Sequence, residues 1–170
     1  ALGEDIYPRL SSIDGGVDVE DLEKALIYGF TICYAQGLSQ LKVTSEEKGY
    51  SLNYREICKI WRGGCIIRAT LLEEFMNAFG RNSKLENLIF DKEISGMIKD
   101  NESFARKVSV FCINNKIPAL ALNSTISYLD AITQKKLPMN LIQAQRDCFG
   151  EHTYERVDKP GTFHNENWQA

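Results

Sequence analysis

The fold is decided by residues 18–48, which read DVEDLEKALIYGFTICYAQGLSQLKVTSEEK. Apolar side chains recur along this stretch every three or four residues, the period of an amphipathic α-helix. Asp18 can cap the first turn, with Asp21 three residues later, and Gly49 follows the last helical residue. The stretch therefore predicts one long helix, whose buried stripe consists of Leu22, Leu26, Phe30, Cys33, Gly37 and Leu41, broadened by Ile27, Tyr34 and Leu38.

Shorter helical segments follow this long helix. Asn53 caps a short helix that Gly63-Gly64 ends, and Ser83-Lys84-Leu85-Glu86 matches a capping box that opens further helical turns. Asn140 caps the last helix, after which the chain continues as a tail that contains aromatic residues. No stretch alternates apolar and polar residues over a useful length. The sequence thus predicts an all-α fold, an irregular multi-helix domain with one long helix, an extended C-terminal tail, and shorter helices near residues 53–61, 65–79, 102–114, 119–136 and 141–148.

The composition of the 170 residues, 44% hydrophobic and 25% charged, is that of one globular domain. A net charge of −3 argues against broad binding of nucleic acid or of acidic membranes, because both need a basic surface. No apolar run approaches the roughly 20 residues that span a bilayer. The five cysteines form no C-x-x-C pair, so reduced, buried cysteines in a cytosolic protein are favoured over disulfides or a metal site. Because the chain opens on Ala rather than Met, we expect a domain of a longer protein.

Residues 141–155, LIQAQRDCFGEHTYE, hold the side chains best suited to binding an anion. Arg146 lies one turn before the predicted helix end and offers a planar fork of donors that suits phosphate. His152 follows just beyond that end and can donate or accept a hydrogen bond at neutral pH. The residues alone favour a plainer interpretation, in which Arg146 pairs with an acid such as Asp147 and His152 caps the helix.

Residues 54–68, YREICKIWRGGCIIR, combine paired glycines with flanking arginines. A helix that began after Gly64 could hold an anion at its N-terminus. A tight junction between helices is favoured instead, with Trp61 buried and with Arg62 and Arg68 in structural ion pairs. The chain contains neither G-x-G-x-x-G nor G-x-x-x-x-G-K-[ST], so it binds no dinucleotide by the usual route. It also suggests no Ser-His-Asp or Cys-His arrangement.

Several stretches resemble, in the expected order, the hallmark motifs of the decarboxylating 6-phosphogluconate dehydrogenases. The match runs from about residue 3 to the end of the chain, and several long motifs in order are far more specific than any single short one. The motifs are YAQG (34–37), LNY (52–54), IWRGGCIIR (60–68), LIQAQRD (141–147), FG (149–150), HTYE (152–155) and KPG (159–161).

The resemblance implies the helical C-terminal domain of an oxidoreductase of the pentose phosphate pathway. Members of that family are cytoplasmic homodimers that oxidise 6-phosphogluconate with NADP and release carbon dioxide and ribulose 5-phosphate. A Rossmann-type domain binds the NADP, and the tail of one subunit passes through its partner. By motif match, Arg146 and His152 would reach the partner's site and hold the phosphate end of the substrate. Arg9, in the segment Gly3–Arg9, would be a third phosphate contact.

The family's general base, a Lys, its general acid, a Glu, and its NADP domain lie upstream of anything in these residues. We therefore expect the isolated chain to reduce no NADP. One alternative is a stand-alone, non-catalytic helical interaction or dimerisation module derived from that family. Another is a related 3-hydroxyacid dehydrogenase that acts on a non-phosphorylated acid. The presence of Arg146 and His152 disfavours both, because neither needs a phosphate-binding pair; His164 in the tail is assigned no role.

Overall fold

A computed structural model describes Ile6, Ser12, Ile13 and residues 15–168. The architecture is predominantly helical, which confirms the predicted all-α class. Within this described part, no helix is both long and apolar enough to cross a bilayer. The elements include helices α1 (Val19–Lys48), α2 (Tyr54–Arg62), α3 (Leu71–Arg81), α4 (Lys92–Asn114), α5 (Leu120–Thr133) and α6 (Asn140–Gly150), a 3-10 turn (Leu88–Phe90), and strands β1 (Tyr154–Glu155) and β2 (Thr162–Phe163).

Helix α1 begins and ends where its sequence predicts. Asp21 N donates to Asp18 Oδ1 at 2.9 Å and Asp18 N donates to Asp21 Oδ2 at 3.0 Å, which is a reciprocal capping box. Gly49 ends the helix in the left-handed region, at a φ of 68°, which a glycine adopts without steric cost. Because local chemistry acts at both ends, the bounds of this 30-residue helix follow from its sequence.

Two of the shorter helices start differently from the prediction. Residues 65–70 form turns, so α3 begins at Leu71 rather than at Cys65. Asn140 is the first residue of α6 rather than its cap, and Met139 before it makes no side-chain capping bond. By contrast, Asn53 caps α2 as predicted, since its Oδ1 accepts from the backbone N–H of the third helical residue at 3.2 Å.

The largest difference concerns α4. Ser83 opens no helix, and α4 begins at Lys92, ten residues before the predicted start at Glu102. Its N-cap is Asp91, whose Oδ1 accepts two backbone N–H groups of the first turn at 3.0 and 3.1 Å. The same carboxylate forms a salt bridge with Arg81 at 2.7 Å. Arg81, at the end of α3, thus helps to hold the capping carboxylate of Asp91. This contact cannot be read from the capping pattern at Ser83.

The described residues divide into two compact units that meet in sequence between Leu129 and Asp130. In the first unit α1 packs mainly along α4. The predicted buried stripe of α1 is wrong for Leu22, Leu26 and Phe30, which are 45%, 59% and 55% exposed, and for Cys33, which is exposed as well. A second set with the same helical spacing is buried, of which only Leu38 belonged to the predicted stripe: Ala25, Tyr28, Ile32, Ala35 and Leu38.

The second unit contains α6 and the C-terminal tail. Strands β1 and β2 pair antiparallel, with Tyr154 opposite Phe163. This short hairpin corrects the expectation of a chain without strands. Gly161 in the connecting turn has a φ of 117°, a conformation that side-chain-bearing residues rarely adopt. The tail therefore reverses at the Lys159-Pro160-Gly161 turn, and its last described residues return to α6 through hydrogen bonds.

Candidate functional site

Arg146 and His152 lie near the C-terminal end of α6, and both side chains are exposed. Arg146 Nη1 donates to Gln143 Oε1, one turn back along the helix, at 3.3 Å. An Arg146–Asp147 ion pair does not form, because the Asp147 carboxylate accepts from other donors of the second unit. The guanidinium fork thus faces solvent, where an anion can reach it.

The backbone on both sides of His152 is left-handed. Glu151 has a φ of 52° and Thr153 a φ of 61°, and each non-glycine residue in this region costs about 1–2 kcal/mol. Glu151 N donates to Asp147 O at 2.9 Å and so caps the helix, a role that the plainer interpretation gave to the His152 side chain. Thr153 N donates to the Asp147 carboxylate at 3.1 Å. These two hydrogen bonds hold the unfavourable backbone conformation on each side of His152.

Gly150 allows the His152 ring to lie against the end of α6. A Cβ atom at position 150 would sit 2.8 Å from His152 Nε2 and 2.9 Å from His152 Cδ2, which is closer than real Cβ contacts. The sequence interpretation placed the end of the helix here correctly, since Gly150 is its last residue. Gly150 does not supply the left-handed residue that often ends a helix, because that residue is Glu151. The glycine instead leaves room for the close approach of the His152 ring.

Asp147 is the buried polar centre of the second unit, with no exposed surface. Its Oδ1 accepts from Thr153 N at 3.1 Å and from His164 Nδ1 at 2.8 Å. Its Oδ2 accepts from Asn165 N at 3.0 Å and from Trp168 Nε1 at 3.0 Å. One carboxylate therefore joins the helix end, the loop that carries His152, and the returning tail.

These contacts shift the protonation of both ionisable partners. Burial by itself raises the pKa of Asp147, but the hydrogen bonds from Asn165, His164 and Trp168 outweigh it and bring that pKa to about 2. The hydrogen bond to Asp147 raises the pKa of His164 above its ordinary value, against the opposing effect of burial. Asp147 is therefore ionised at neutral pH, and His164 is a charge-assisted donor to it whenever its ring is protonated.

The first unit contains an apolar cavity of about 500 Å³ between α1 and the turns that follow α2. Its lining brings together Tyr34 and Gly37 from α1 with Trp61 and residues 66–69. The Tyr34 hydroxyl donates to the backbone carbonyl of Ile67, which ties the two stretches to each other. The exposed stripe of α1 lines this cavity through Phe30 and borders a second apolar cavity of about 350 Å³ beside α5.

The glycine-paired segment, residues 54–68, contains α2 and the first turns of the connection to α3. Gly64 is followed by turns and the next helix begins only at Leu71, so the helix N-terminus suggested directly after Gly64 is not present. Trp61 is half-buried and stacks near Tyr34, with ring centroids 6.3 Å apart. Arg62 pairs with Glu73 at 2.9 Å, as the junction interpretation predicts, whereas Arg68 is exposed and lines the apolar cavity.

The cysteines are free thiols, and Cys58 and Cys112 are buried as expected. Cys33 and Cys148 are exposed, which differs from the prediction of buried cysteines. Burial raises the pKa of Cys58 to about 11, and partial desolvation by neighbouring groups raises that of the exposed Cys33, so both thiols are protonated and weakly nucleophilic at neutral pH. Within the described part of the chain, no group of three His, Cys, Asp or Glu side chains gathers as a metal site would require.

Arg9, the third predicted phosphate contact, lies outside the described residues. Sequence reasoning also missed the cluster of Asp147, His164 and Trp168. Nothing in local spacing connects Asp147 with residues 17 and 21 positions later. The Lys159-Pro160-Gly161 turn was the available signal, because a turn there makes the tail reverse towards the helix.

Comparison with known proteins gives consistent matches over most of the chain. A family model described as 6-phosphogluconate dehydrogenase, C-terminal domain, matches residues 8–168. A decarboxylating 6-phosphogluconate dehydrogenase of Oryza sativa is 46% identical over 91% of this chain and 32% of its own length. That of Escherichia coli is 43% identical over 87% of this chain and 32% of its own length. The chain thus spans about a third of the length of these relatives.

The fold is shared as well. A solved structure of the 6-phosphogluconate dehydrogenase of Plasmodium falciparum, studied in its apo form, with its cofactor NADP+ and with its substrate 6-phosphogluconate, is 41% identical. It aligns with a TM-score of 0.87 over 97% of this chain and 36% of that one. The order of motifs, the helical fold and the family model therefore agree, and this chain belongs to the 6-phosphogluconate dehydrogenase family, where it corresponds to the C-terminal domain.

Proposed function

We propose that this chain is the C-terminal helical domain of an enzyme that oxidatively decarboxylates 6-phosphogluconate to ribulose 5-phosphate with reduction of NADP. Its own part would be to bind the phosphate end of the substrate. The observation that carries the proposal is the pair of exposed side chains, Arg146 and His152, on a helix end whose loop is held by two hydrogen bonds to Asp147. Relatives that match nearly the whole chain carry this activity in their names.

The chemistry of the pair suits a phosphate. The guanidinium of Arg146 can donate two parallel hydrogen bonds to phosphate oxygens, and the charge strengthens both. The imidazole of His152 adds a further donor, while the left-handed residues on each side limit where its ring can lie. We assign Arg9 as a third contact on the motif match alone. None of these residues carries out the redox or decarboxylation step, so their role is substrate binding and orientation.

The remaining parts of the reaction would come from elsewhere in the protein. The described residues contain no parallel sheet with a glycine-rich turn before a helix, the arrangement that usually binds a dinucleotide. We therefore assign NADP to an N-terminal domain and expect the isolated chain to be inactive. We also propose a cytoplasmic homodimer whose site is shared across subunits. The long exposed apolar stripe of α1 is consistent with a covering partner.

The alternative function, a non-catalytic interaction module, is not favoured. A module that only joined subunits would need an apolar surface and would gain nothing from an arginine and a histidine held at a strained helix end. The family relatives are enzymes by name throughout the matches described.

Replacing Arg146 by Lys at the protein's full natural length tests the proposal. Lys keeps the charge but loses the planar fork, so the KM for 6-phosphogluconate should rise about tenfold or more while kcat changes little. Arg156→Lys is the matched control, because Arg156 is an exposed arginine of the same unit whose fork already pairs with Asp158 at 2.5 and 2.7 Å. An unchanged KM in the Arg146 variant would remove that residue from the site.

Two further measurements test the inactivity of the isolated chain and the dimeric state of the full-length protein. The purified 170-residue chain should reduce no NADP with 6-phosphogluconate, and turnover in a sample free of contaminating enzyme would contradict the assignment of the chemistry to other domains. Light scattering of the full-length protein should give twice the mass of one chain. A monomer that remains fully active would overturn the shared site.

A further inference from the structure

Asp147 is connected to both proposed phosphate-binding residues, to Arg146 along the chain and to the residues on either side of His152 through hydrogen bonds. It follows Arg146 directly in α6, and its Oδ1 accepts the backbone N–H of Thr153, the residue after His152. Glu151, the residue before His152, donates its own N–H to the Asp147 carbonyl at 2.9 Å. Both ends of the three-residue loop that carries His152 are therefore attached to the same residue.

The loop depends on that attachment. Glu151 and Thr153 both have positive φ angles, and the hydrogen bond to the carboxylate holds Thr153 in this unfavourable conformation. The carboxylate is fully buried and its oxygens accept four donors, so it has little freedom to move. A rigid acceptor fixes the direction of the Thr153 N–H and, through the adjoining peptide, the position of the His152 side chain.

We propose that Asp147 is a positioning residue that acts through His152, holding the imidazole where it meets the phosphate of the substrate. The inference rests on the proposed function. Asp147 itself touches no substrate, because its carboxylate is buried and fully engaged with Thr153, His164, Asn165 and Trp168. The tail residues His164 and Trp168 contribute to the same positioning, because they hold the Asp147 carboxylate in place.

A double-mutant cycle on the full-length protein tests this inference, with KM for 6-phosphogluconate and kcat as readouts. The variants are Asp147→Asn, His152→Asn and the combination of both. Asn at position 147 is nearly isosteric but presents an N–H group where all partners donate. We expect Asp147→Asn to raise KM about tenfold to a hundredfold with little change in kcat. In the His152→Asn background the same change should add less than about twofold.

A purely structural role gives a different pattern. If Asp147 only stabilises the unit, its effect on KM should persist undiminished when His152 is already Asn, and that additivity would overturn the inference. Asp158→Asn, which alters an exposed carboxylate of the same unit, is the matched control and should leave KM unchanged. If His152→Asn by itself has no effect on KM, the proposed function fails; if it raises KM while Asp147→Asn does not, only the present inference fails.

A milder variant keeps the test decisive if Asp147→Asn does not fold. His164→Asn removes the imidazole donor from Oδ1 and leaves the bond from Thr153 in place. A smaller rise in KM, about threefold to tenfold and abolished in the His152→Asn background, supports the inference. An unchanged KM, or a rise that is the same in both backgrounds, overturns it.

Discussion

At the scale of single residues, the pair formed by Asp147 and His164 decides how the second unit responds to pH. The carboxylate and the ring approach to 2.8 Å, and the charged or polar groups that face His164 also include Glu151 and Glu166. All three are acids, and they favour the protonated ring. The tail is thus held most firmly when Asp147 is ionised and His164 carries a proton.

The sign of the pH dependence follows from the direction of each shift. The pKa of His164 is raised, so its contribution to stability is complete below its ordinary value of 6.5 and is lost as pH rises through the raised value. The pKa of Asp147 is lowered to about 2, so its contribution is present above 3.8 and is lost as pH falls through about 2. Stabilisation by the pair is therefore greatest between about pH 4 and 6.5.

Comparing thermal unfolding of the wild type and His164→Asn across this range tests the argument. The wild type should unfold at a higher temperature at pH 5.5, and the difference should shrink steadily above pH 6.5 as the ring loses its proton. Trp168 fluorescence can report the same transition, because its Nε1 donates to Asp147. A difference in melting temperature that stays constant from pH 5 to pH 9 would show that the charged ring contributes nothing.

Gly150 provides a second prediction at the scale of a residue. Alanine favours a helix over glycine by about 1 kcal/mol, so Gly150→Ala should keep or raise stability. Its Cβ would displace the His152 ring, so the KM for 6-phosphogluconate should rise about tenfold. Gly96→Ala within α4 is the control, since a Cβ there meets nothing within 4 Å and should stabilise without changing KM. If the KM of Gly150→Ala is unaltered, the position of the His152 ring does not affect substrate binding.

At the scale of elements, α1 depends on chemistry at its own ends. The reciprocal bonds between Asp18 and Asp21 satisfy backbone donors that the helix leaves unpaired. Asp18→Ala should therefore lower the free energy of unfolding by about 1 kcal/mol. Glu23→Ala, an exposed acid in the same helix, should change it by less than about 0.5 kcal/mol. Urea unfolding followed by circular dichroism measures both, and equal losses would mean that the cap is not the cause.

The start of helix α4, unlike the ends of α1, depends on a residue of another helix. Asp91 is a good cap by its chemistry, but Arg81 from α3 also holds its carboxylate, at 2.7 Å. The salt bridge lowers the pKa of Asp91 despite the opposing effect of burial, so the capping group stays ionised. The N-cap that the structure uses is thus held by a residue ten positions earlier in the chain, and no helix begins at Ser83.

At the scale of the whole molecule, the first unit is held together by side chains that α1 shares with α3 and α4. Phe75 is fully buried and its ring lies 5.2 Å from that of Tyr34. Phe75→Ala should lower the free energy of unfolding by about 3–5 kcal/mol. Phe90 is 61% exposed, so Phe90→Ala should cost less than about 1 kcal/mol. Guanidinium unfolding at one pH compares the two, and similar losses would contradict the placement of the core.

The chain by itself determined what depends on neighbours within a turn or two. The capping box at Asp18 and the left-handed Gly49 set the length of α1, because both act through local hydrogen bonds and backbone geometry. The ordered motifs indicated the family, and it was this resemblance, rather than the chemistry of the residues alone, that assigned a phosphate-binding role to Arg146 and His152. Those motifs are contiguous in sequence, so no knowledge of tertiary contacts was needed to find them.

Only the tertiary structure decided which of two equivalent stripes of α1 is buried, and what the tail does. Residues from Leu22 to Phe30 and from Ala25 to Leu38 follow the same helical period, so periodicity cannot choose between them. The choice depends on which segments meet, and α4 covers only one stripe. Asp147 likewise becomes a buried anchor only because the chain reverses at Gly161 and returns donors to it. Burial and long-range hydrogen bonds are properties of the contacts between segments, and no single segment encodes them.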